Sequence, residues 1–324
     1  MTRTVLGARE ILRAQKRIRA HLEKSPLLRS PQLSQSIDGE VWLKLETHQP
    51  TGSFKVRGAL NKMSTISGGG TGVVTGSAGN HGLGVAFAAS KLGFDNTTVF
   101  IPETAPEAKV NRLKHFQIDL QISGKTYEDA HQAAVEFAQN QGAAYISAYD
   151  DEQIIAGQGT AGLEIIEQCP ECDLVIVPVG GGGLIAGVAV AVKELSPSTQ
   201  IVGVQAEASP SAFLSLRDGT PYDPYEHEKT IADGLAGGFG AKPFYIARSL
   251  IDRIQLFDEV TLRRCIYTLL EADNILAEAS GAIAIAPLLE HDERLKGKRV
   301  VCVISGSNLE LTLLRDILNE FCTR

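Results

Sequence analysis

The stretch that most constrains the fold is an uncharged run of 19 residues, 174–192, which carries Pro178 and four consecutive glycines, Gly180 to Gly183, in its middle. Its length alone would reach across a bilayer. A lipid-exposed helix must satisfy every backbone polar group internally, so a proline and four glycines at mid-depth exclude that reading. The same residues suit a buried strand over 174–179, a tight loop, and a buried helix over 184–195. A strand apolar on both faces that hands over to a helix through glycines is the building unit of a parallel α/β sheet.

The rest of the chain fits that unit, because strand-like and helix-like segments alternate throughout its 324 residues. The periodicities predict a helix over 8–22, a strand over 41–45 and a helix from about 56. Strands over 71–75 and 97–101 flank a helix starting near residue 81. A helix over 106–115, a strand over 119–122, a helix over 127–139 and a strand over 143–147 follow. The pattern restarts with a helix over 151–168, the strand and helix around the glycines, and a strand over 201–204. A segment rich in Gly, Pro and Tyr, 218–243, reads as an ordered loop over a site. Helices over 261–272 and 281–291, a strand over 299–304 and a closing helix over 309–321 complete an α/β chain with largely parallel sheets.

Composition bounds the function. Hydrophobic residues make up 44% of the chain, enough for a large core in two lobes or in one domain with an insertion. The net charge of −7 comes without a long basic run, which argues against nucleic acid and anionic membranes as partners. The N-terminus from Met1 to Leu6 has no apolar signal core, which places the protein in the cytoplasm. The odd number of cysteines, five, implies free thiols. Cys169 and Cys172 form a CxxC, but no second pair stands at ligand spacing. They also fall between a helix and a strand, away from any helix N-terminus that would activate them, so neither a metal nor a redox role is expected.

Four stretches carry chemistry. In Thr51-Gly52-Ser53-Phe54-Lys55-Val56-Arg57-Gly58, the amine of Lys55 needs desolvation or a cationic neighbour to become a nucleophile. Phe54 offers apolar cover, Arg57 lies two residues on, and Gly52 and Gly58 permit close approach of backbone or of a planar cofactor. The turn Gly76-Ser77-Ala78-Gly79-Asn80-His81-Gly82 opens a helix after a strand, which suits either a carboxylate or a simple helix cap. The amide of Asn80 can bond a phenolic or carbonyl oxygen. Gly180 to Gly183 can turn several N–H groups on a phosphate at a helix N-terminus, whereas close packing needs one glycine. Ser305, in Ser305-Gly306-Ser307-Asn308, can bond a neutral ring nitrogen or cap the closing helix. Together a lysine, a phosphate cradle and these two polar side chains fit pyridoxal 5′-phosphate. Gly181, Gly183 and Ala186 also approximate a dinucleotide fingerprint, so a nicotinamide-dependent oxidoreductase is the reading from a different class.

The chain resembles the fold-type II pyridoxal phosphate enzymes, the family of threonine and serine dehydratases and serine racemase. The likeness rests on six stretches in the same order: 44–55, 77–82, 180–184, 231–234, 278–282 and 305–308. It implies two open, twisted, mostly parallel sheets flanked by helices. It also implies a large domain from residues 1–50 and 147–324, with a small domain inserted over 51–146. Lys55 would hold the cofactor aldehyde as a Schiff base and then remove the substrate Cα proton. Phe54, Asn80, Gly180, Gly181, Gly182, Gly183, Leu184 and Ser305 would bind the cofactor, and Ser77, Ala78, Gly79, Asn80 and His81 the substrate carboxylate. The cofactor phosphate would protonate the departing β-hydroxyl.

The implied reaction is α,β-elimination from a β-hydroxy-α-amino acid such as L-threonine or L-serine, giving a 2-oxo acid and ammonia. Ser305 in place of an aspartate leaves the ring nitrogen unprotonated, which favours elimination over transamination. The implied partners are a small amino-acid substrate and further copies of the chain, as a dimer or tetramer. Three departures qualify this expectation. Residues 205–209 carry Glu207 alone where relatives place several acidic metal ligands, so no metal is expected. Residues 145–151 lack a His-Pro pair. The small residues of 234–240 leave room for a larger β-substituent. A serine-type racemase is the alternative within the family, and a non-catalytic ligand-binding protein the remaining one.

Overall fold

The computed structural model describes residues 6–66 and 72–322, so the N-terminal residues 1–5 and Thr71, the expected first residue of a strand, lie outside them. Among the described residues ten strands alternate with helices: β1 Leu27–Arg29, β2 Glu40–Leu45, β3 Val73–Gly76, β4 Thr97–Ile101, β5 Asp119–Ile122, β6 Ala144–Tyr145, β7 Leu174–Pro178, β8 Gln200–Ala206, β9 Arg253–Phe257 and β10 Arg299–Ile304. They form a six-stranded sheet of order β1-β2-β10-β7-β8-β9 and a four-stranded sheet of order β5-β4-β3-β6. Every pairing is parallel except β1 on β2.

The parallel arrangement follows from the apolar runs. In β7, Leu174 and Ile176 face one core while Val175 and Val177 face another, and β10 divides Val300 and Cys302 from Val301 and Val303 in the same way. A strand apolar on both faces must be covered on both. Helices Glu152–Gln168 and Gly183–Leu195 cover one face, and Glu259–Asp273 with the short turns of 279–289 covers the other. In the smaller sheet Val73 packs toward helices Lys55–Met63 and Asn80–Leu92, and Val74 toward Tyr127–Gln141.

The run 174–192 is thus a buried strand, a glycine loop and a buried helix, and among the described residues no helix is long and apolar enough to cross a membrane. Some expectations need correction. The helix expected over 281–291 is broken into Ala279–Ala282, Ile283–Ile285 and Ala286–Leu289. Pro287, at the start of the last turn, supplies no N–H to a continuing helix. The segment 218–243 holds a 3₁₀ turn, Asp233–Leu235, and the start of helix Ala241–Ala247. Strands β1 and β9 and helices Pro31–Ser36 and Ser211–Asp218 were not legible, being short elements whose half-exposed faces give little periodicity.

Candidate active site

All four chemical stretches follow the C-terminal ends of strands: 51–58 after β2, 77–82 after β3, 180–183 after β7 and 305–308 after β10. Because β10 lies between β2 and β7, three of them converge from one sheet, and helix Asn80–Leu92 brings the fourth from the other.

Lys55 is the first residue of helix Lys55–Met63. The approach to it is pinned by a Phe54 N–H that donates to Ser305 O at 3.1 Å and by an isolated antiparallel bridge from Ser53 to Gly306. Gly52 turns the chain at φ +71°, where a side chain would be strained and would press on Asn308. Lys55 Nζ donates to Ala148 O at 2.9 Å and sits 5.3 Å from the Phe54 ring centre. Burial pulls its pKa from 10.5 to about 8, against the opposing charge of Glu278.

Arg57 is not the cationic neighbour expected from its spacing. Its guanidinium turns away into a buried ion cluster, with Nε 2.7 Å from Glu46 and Nη1 2.7 Å from Glu164. Gly58 likewise serves helix packing: a Cβ there would lie 2.4 Å from the Gln158 side chain on helix Glu152–Gln168.

In the turn after β3, Ser77 Oγ accepts from Gly79 N–H at 3.3 Å, and a Cβ on Gly79 would meet nothing within 4 Å, which leaves open space above the turn. Ala78 is partly buried beside Leu83. His81 Nε2 lies 2.9 Å from Ile146 O, and a carbonyl can only accept, so the proton is on Nε2. Burial and then the charge of Lys55 push the imidazole pKa down to about 3, which leaves a neutral ring whose buried Nδ1 has no partner among the described residues. The Asn80 amide is engaged at both ends, donating to Glu278 Oε1 at 2.6 Å and accepting from Asn308 Nδ2 at 2.5 Å.

Three of the four glycines turn out to be required by packing, contrary to the expectation that one would suffice. A Cβ would lie 2.8 Å from Gly234 O at Gly180, 2.3 Å from the Tyr149 ring at Gly181 and 2.3 Å from the Phe239 ring at Gly182. The loop nevertheless opens helix Gly183–Leu195, and among the described residues no group accepts from the backbone N–H of Gly181, Gly182, Gly183 or Leu184. Gly182, at φ +89°, aims these donors. Four free amides at the positive end of a 13-residue helix form a cradle for a phosphate. Gly182→Ala would place a side chain both in the left-handed region and against Phe239. We expect it to lower stability by ~2 kcal/mol and cofactor affinity at least tenfold, measured by urea unfolding and by cofactor titration. Unchanged cofactor affinity would argue against the cradle.

Ser305 is buried, and its Oγ donates weakly to Ser280 O at 3.4 Å. It does not cap the closing helix, since Glu310 is the residue before Leu311–Phe321. Two neighbours escaped the sequence reading. Tyr149 packs over Gly181 and Gly183 while its hydroxyl lies 3.1 Å from Asp223. Glu278 lies beside Asn80, and burial and then the charge of Asp233 push its carboxyl up to about 7. The available signal for Glu278 was a single acid inside the apolar stretch 275–289. Among the described residues no cluster of three His, Cys, Asp or Glu could hold a metal, and Cys169 and Cys172 are buried free thiols at the end of helix Glu152–Gln168.

A buried amine of lowered basicity, facing a phosphate cradle across the ends of parallel strands, defines an α/β enzyme built to hold a phosphorylated carbonyl cofactor covalently. The chain belongs to the family of pyridoxal-phosphate dependent enzymes, whose sequence profile matches residues 18–306. It is 38% identical to an L-threonine ammonia-lyase of Thermotoga maritima over 314 residues, which covers 96% of this chain and 78% of that one. Among solved structures, maize serine racemase superposes with a TM-score of 0.90 at 30% identity, covering 98% of each chain. The processed threonine deaminase isoform 2 of Solanum lycopersicum gives 0.89 at 33% identity, covering 98% of this chain and 95% of that one. The fold is fold-type II, and the dinucleotide reading of the glycine loop gives way to pyridoxal phosphate as the cofactor.

Proposed function

We propose that the protein is an ammonia-lyase that removes water and then ammonia from a β-hydroxy-α-amino acid such as L-threonine or L-serine. In this reading the amides of Gly181 to Leu184, with Gly180, hold the cofactor phosphate. Ser305 Oγ meets the ring nitrogen, the Asn80 amide meets the phenolic oxygen, and Phe54 flanks Lys55. Ser77, Ala78, Gly79, Asn80 and His81 receive the substrate carboxylate through backbone N–H groups and polar side chains. The bound cofactor supplies an electron sink that makes the substrate Cα–H acidic. Lys55 Nζ would take that proton, the Cβ–O bond would break with the hydroxyl leaving as water on a proton from the cofactor phosphate, and the enamine product would hydrolyse to a 2-oxo acid and ammonia.

Two readings of the chain's setting accompany this one. The strands of the four-stranded sheet all fall within 73–145, which supports a small domain over 51–146 inserted into a large one formed by 1–50 and 147–324. Free cysteines and net acidity support a cytoplasmic enzyme, and exposed Leu28, Leu195 and Leu311 offer apolar surface for a homodimer or tetramer.

The likeness to serine racemase makes racemisation the second reading, and Ala78 is the observation that favours the first. Racemisation requires an acid/base on the Cα face opposite the lysine. The residue beside Ser77 in the carboxylate turn is alanine, and a methyl group donates no proton. A panel of β-hydroxy amino acids monitored for 2-oxo acid, with chiral chromatography in deuterated solvent, tests this directly. We expect 2-oxo acid release without inversion, and Ala78→Ser is expected to introduce measurable racemisation of L-serine. Inversion with deuterium wash-in by the unaltered enzyme would move the assignment to racemase.

A further inference from the structure

The Asn80 amide is oriented by a hydrogen-bond chain whose polarity leaves no freedom. A primary amide has one oxygen that accepts and a nitrogen with two hydrogens. Asn308 uses both of its hydrogens and its oxygen. Its Nδ2 donates to Thr51 O at 3.0 Å and to Asn80 Oδ1 at 2.5 Å, and its Oδ1 accepts from Arg112 Nη1. A flip of Asn308 would set its oxygen against two other oxygens. With Asn80 Oδ1 thus fixed, one Asn80 Nδ2 hydrogen goes to Glu278 Oε1 at 2.6 Å. A flip here would set nitrogen against nitrogen and oxygen against carboxylate. One N–H of Asn80 remains, and among the described residues no protein group accepts it.

Glu278 is held as firmly as the amide it receives. Its backbone N–H donates to Gly306 O at 3.0 Å, and Gly306 carries no side chain where a Cβ would lie 2.2 Å from Glu278 Oε1. The carboxylate is buried and, among the described residues, makes no ion pair. The nearest charges that act on it are Lys55 on helix Lys55–Met63, Lys109 on helix Glu107–Leu113 and Asp233 on the turn Asp233–Leu235, and Lys109 is already paired with Asp233. An unpaired buried carboxylate is unfavourable by itself. Its acceptance of one Asn80 hydrogen polarises the amide and strengthens the remaining N–H as a donor.

We propose that Glu278 and Asn308 are positioning residues that orient the Asn80 side-chain amide so that its remaining N–H is presented to the ring oxygen of the cofactor. This rests on the reading, given above, that Asn80 bonds that oxygen. The arrangement also links the two sheets, since Asn80 and Arg112 lie on helices between strands of the four-stranded sheet, while Glu278 precedes and Asn308 follows β10 of the six-stranded one.

The test uses the full chain loaded with pyridoxal 5′-phosphate, and reads the visible absorption band, the cofactor dissociation constant and kcat against KM. Asn80→Ala should shift the band and weaken cofactor binding about tenfold, the effect of one hydrogen bond to a charged oxygen. Glu278→Gln and Asn308→Ala should each reproduce part of the band shift, the first because it removes the charge that polarises the remaining N–H and the second because it removes the donor that pins Asn80 Oδ1. Combining either with Asn80→Ala should add less than twofold. A wild-type band in both Glu278→Gln and Asn308→Ala, with a shifted band in Asn80→Ala, would overturn the positioning role and leave the Asn80 reading standing. Full additivity in the double variants would overturn it as well. An unchanged band and affinity in Asn80→Ala would sink the reading and the proposal together. Should Glu278→Gln fail to fold, Asn308→Ala tests the same amide without touching the buried carboxylate.

Discussion

Lys55→Ala is expected to lower turnover at least ~10³-fold, in the range for loss of a general base, and to abolish the visible absorption that a covalently held cofactor would give. The Lys55 amine can condense with an aldehyde, and burial lowers its basicity to about 8. The sign of the pH effect follows. The nucleophile is the unprotonated amine, so the rate at which cofactor-free protein captures pyridoxal phosphate should rise with pH up to about 8 and level off above it. At pH 7 about a tenth of such amines are unprotonated, against fewer than ~1 in 10³ for an ordinary lysine. Borohydride reduction and peptide mapping provide the direct check. A pyridoxyl group on another lysine, or a variant that keeps the band, would overturn the assignment of Lys55.

The second large effect is on stability. Arg57→Leu is expected to destabilise the fold by ~3–5 kcal/mol, the usual consequence of removing one partner from a buried ion cluster. Arg57 donates to Glu46 at 2.7 and 2.8 Å, to Glu164 at 2.7 and 2.8 Å and to Thr160 Oγ1 at 3.0 Å. Lys44 Nζ also donates to Glu164 at 2.7 Å, but without Arg57 the one donor left to the Glu46 carboxylate among the described residues is Ser25 Oγ at 2.6 Å. Burial alone would raise the Glu46 carboxyl, yet the Arg57 guanidinium and then Lys44 hold it below the usual carboxylate range. A lowered folded-state pKa contributes stability that is present above the unfolded value, 4.5, and lost as pH falls through the folded one. The gap between wild type and variant in urea unfolding should therefore be widest near neutral pH and narrow below about 4.5. A gap under ~1 kcal/mol at pH 7 would show that the cluster adds little. Arg57→Lys should recover only part of the loss, because one ammonium cannot reproduce the planar fork that spans both carboxylates.

The ion cluster also explains how an ordinary-looking stretch such as 51–58 becomes a site. Arg57 anchors the first turn of helix Lys55–Met63 to the turn after β2 through Glu46 and to helix Glu152–Gln168 through Glu164. The residue two positions earlier is thereby held with its amine toward Ala148 O. A lysine gains its low basicity here from where its helix is pinned, and no neighbouring cation is needed.

The sequence by itself determined the strand and helix of 174–195, the turns that end strands and open helices, and the residue types that meet a phosphorylated carbonyl cofactor. These are local properties: hydrophobic period, backbone freedom at glycine, and the nucleophilicity of one amine. Only the tertiary structure decided which distant residues complete the site. Asn80 meets Glu278 across 198 positions and Asn308 across 228, and Thr51 meets Asn308 across 257. Those meetings follow from the sheet order that inserts β10 between β2 and β7 and so lays the loop 305–308 against 51–55. Periodicity fixes which face of a strand is buried and carries no information about which strand lies beside it. Spacing alone therefore suggested Arg57 as the neighbour of Lys55 and gave Glu278 no role, while packing placed Arg57 in the ion cluster and Glu278 beside the Asn80 amide.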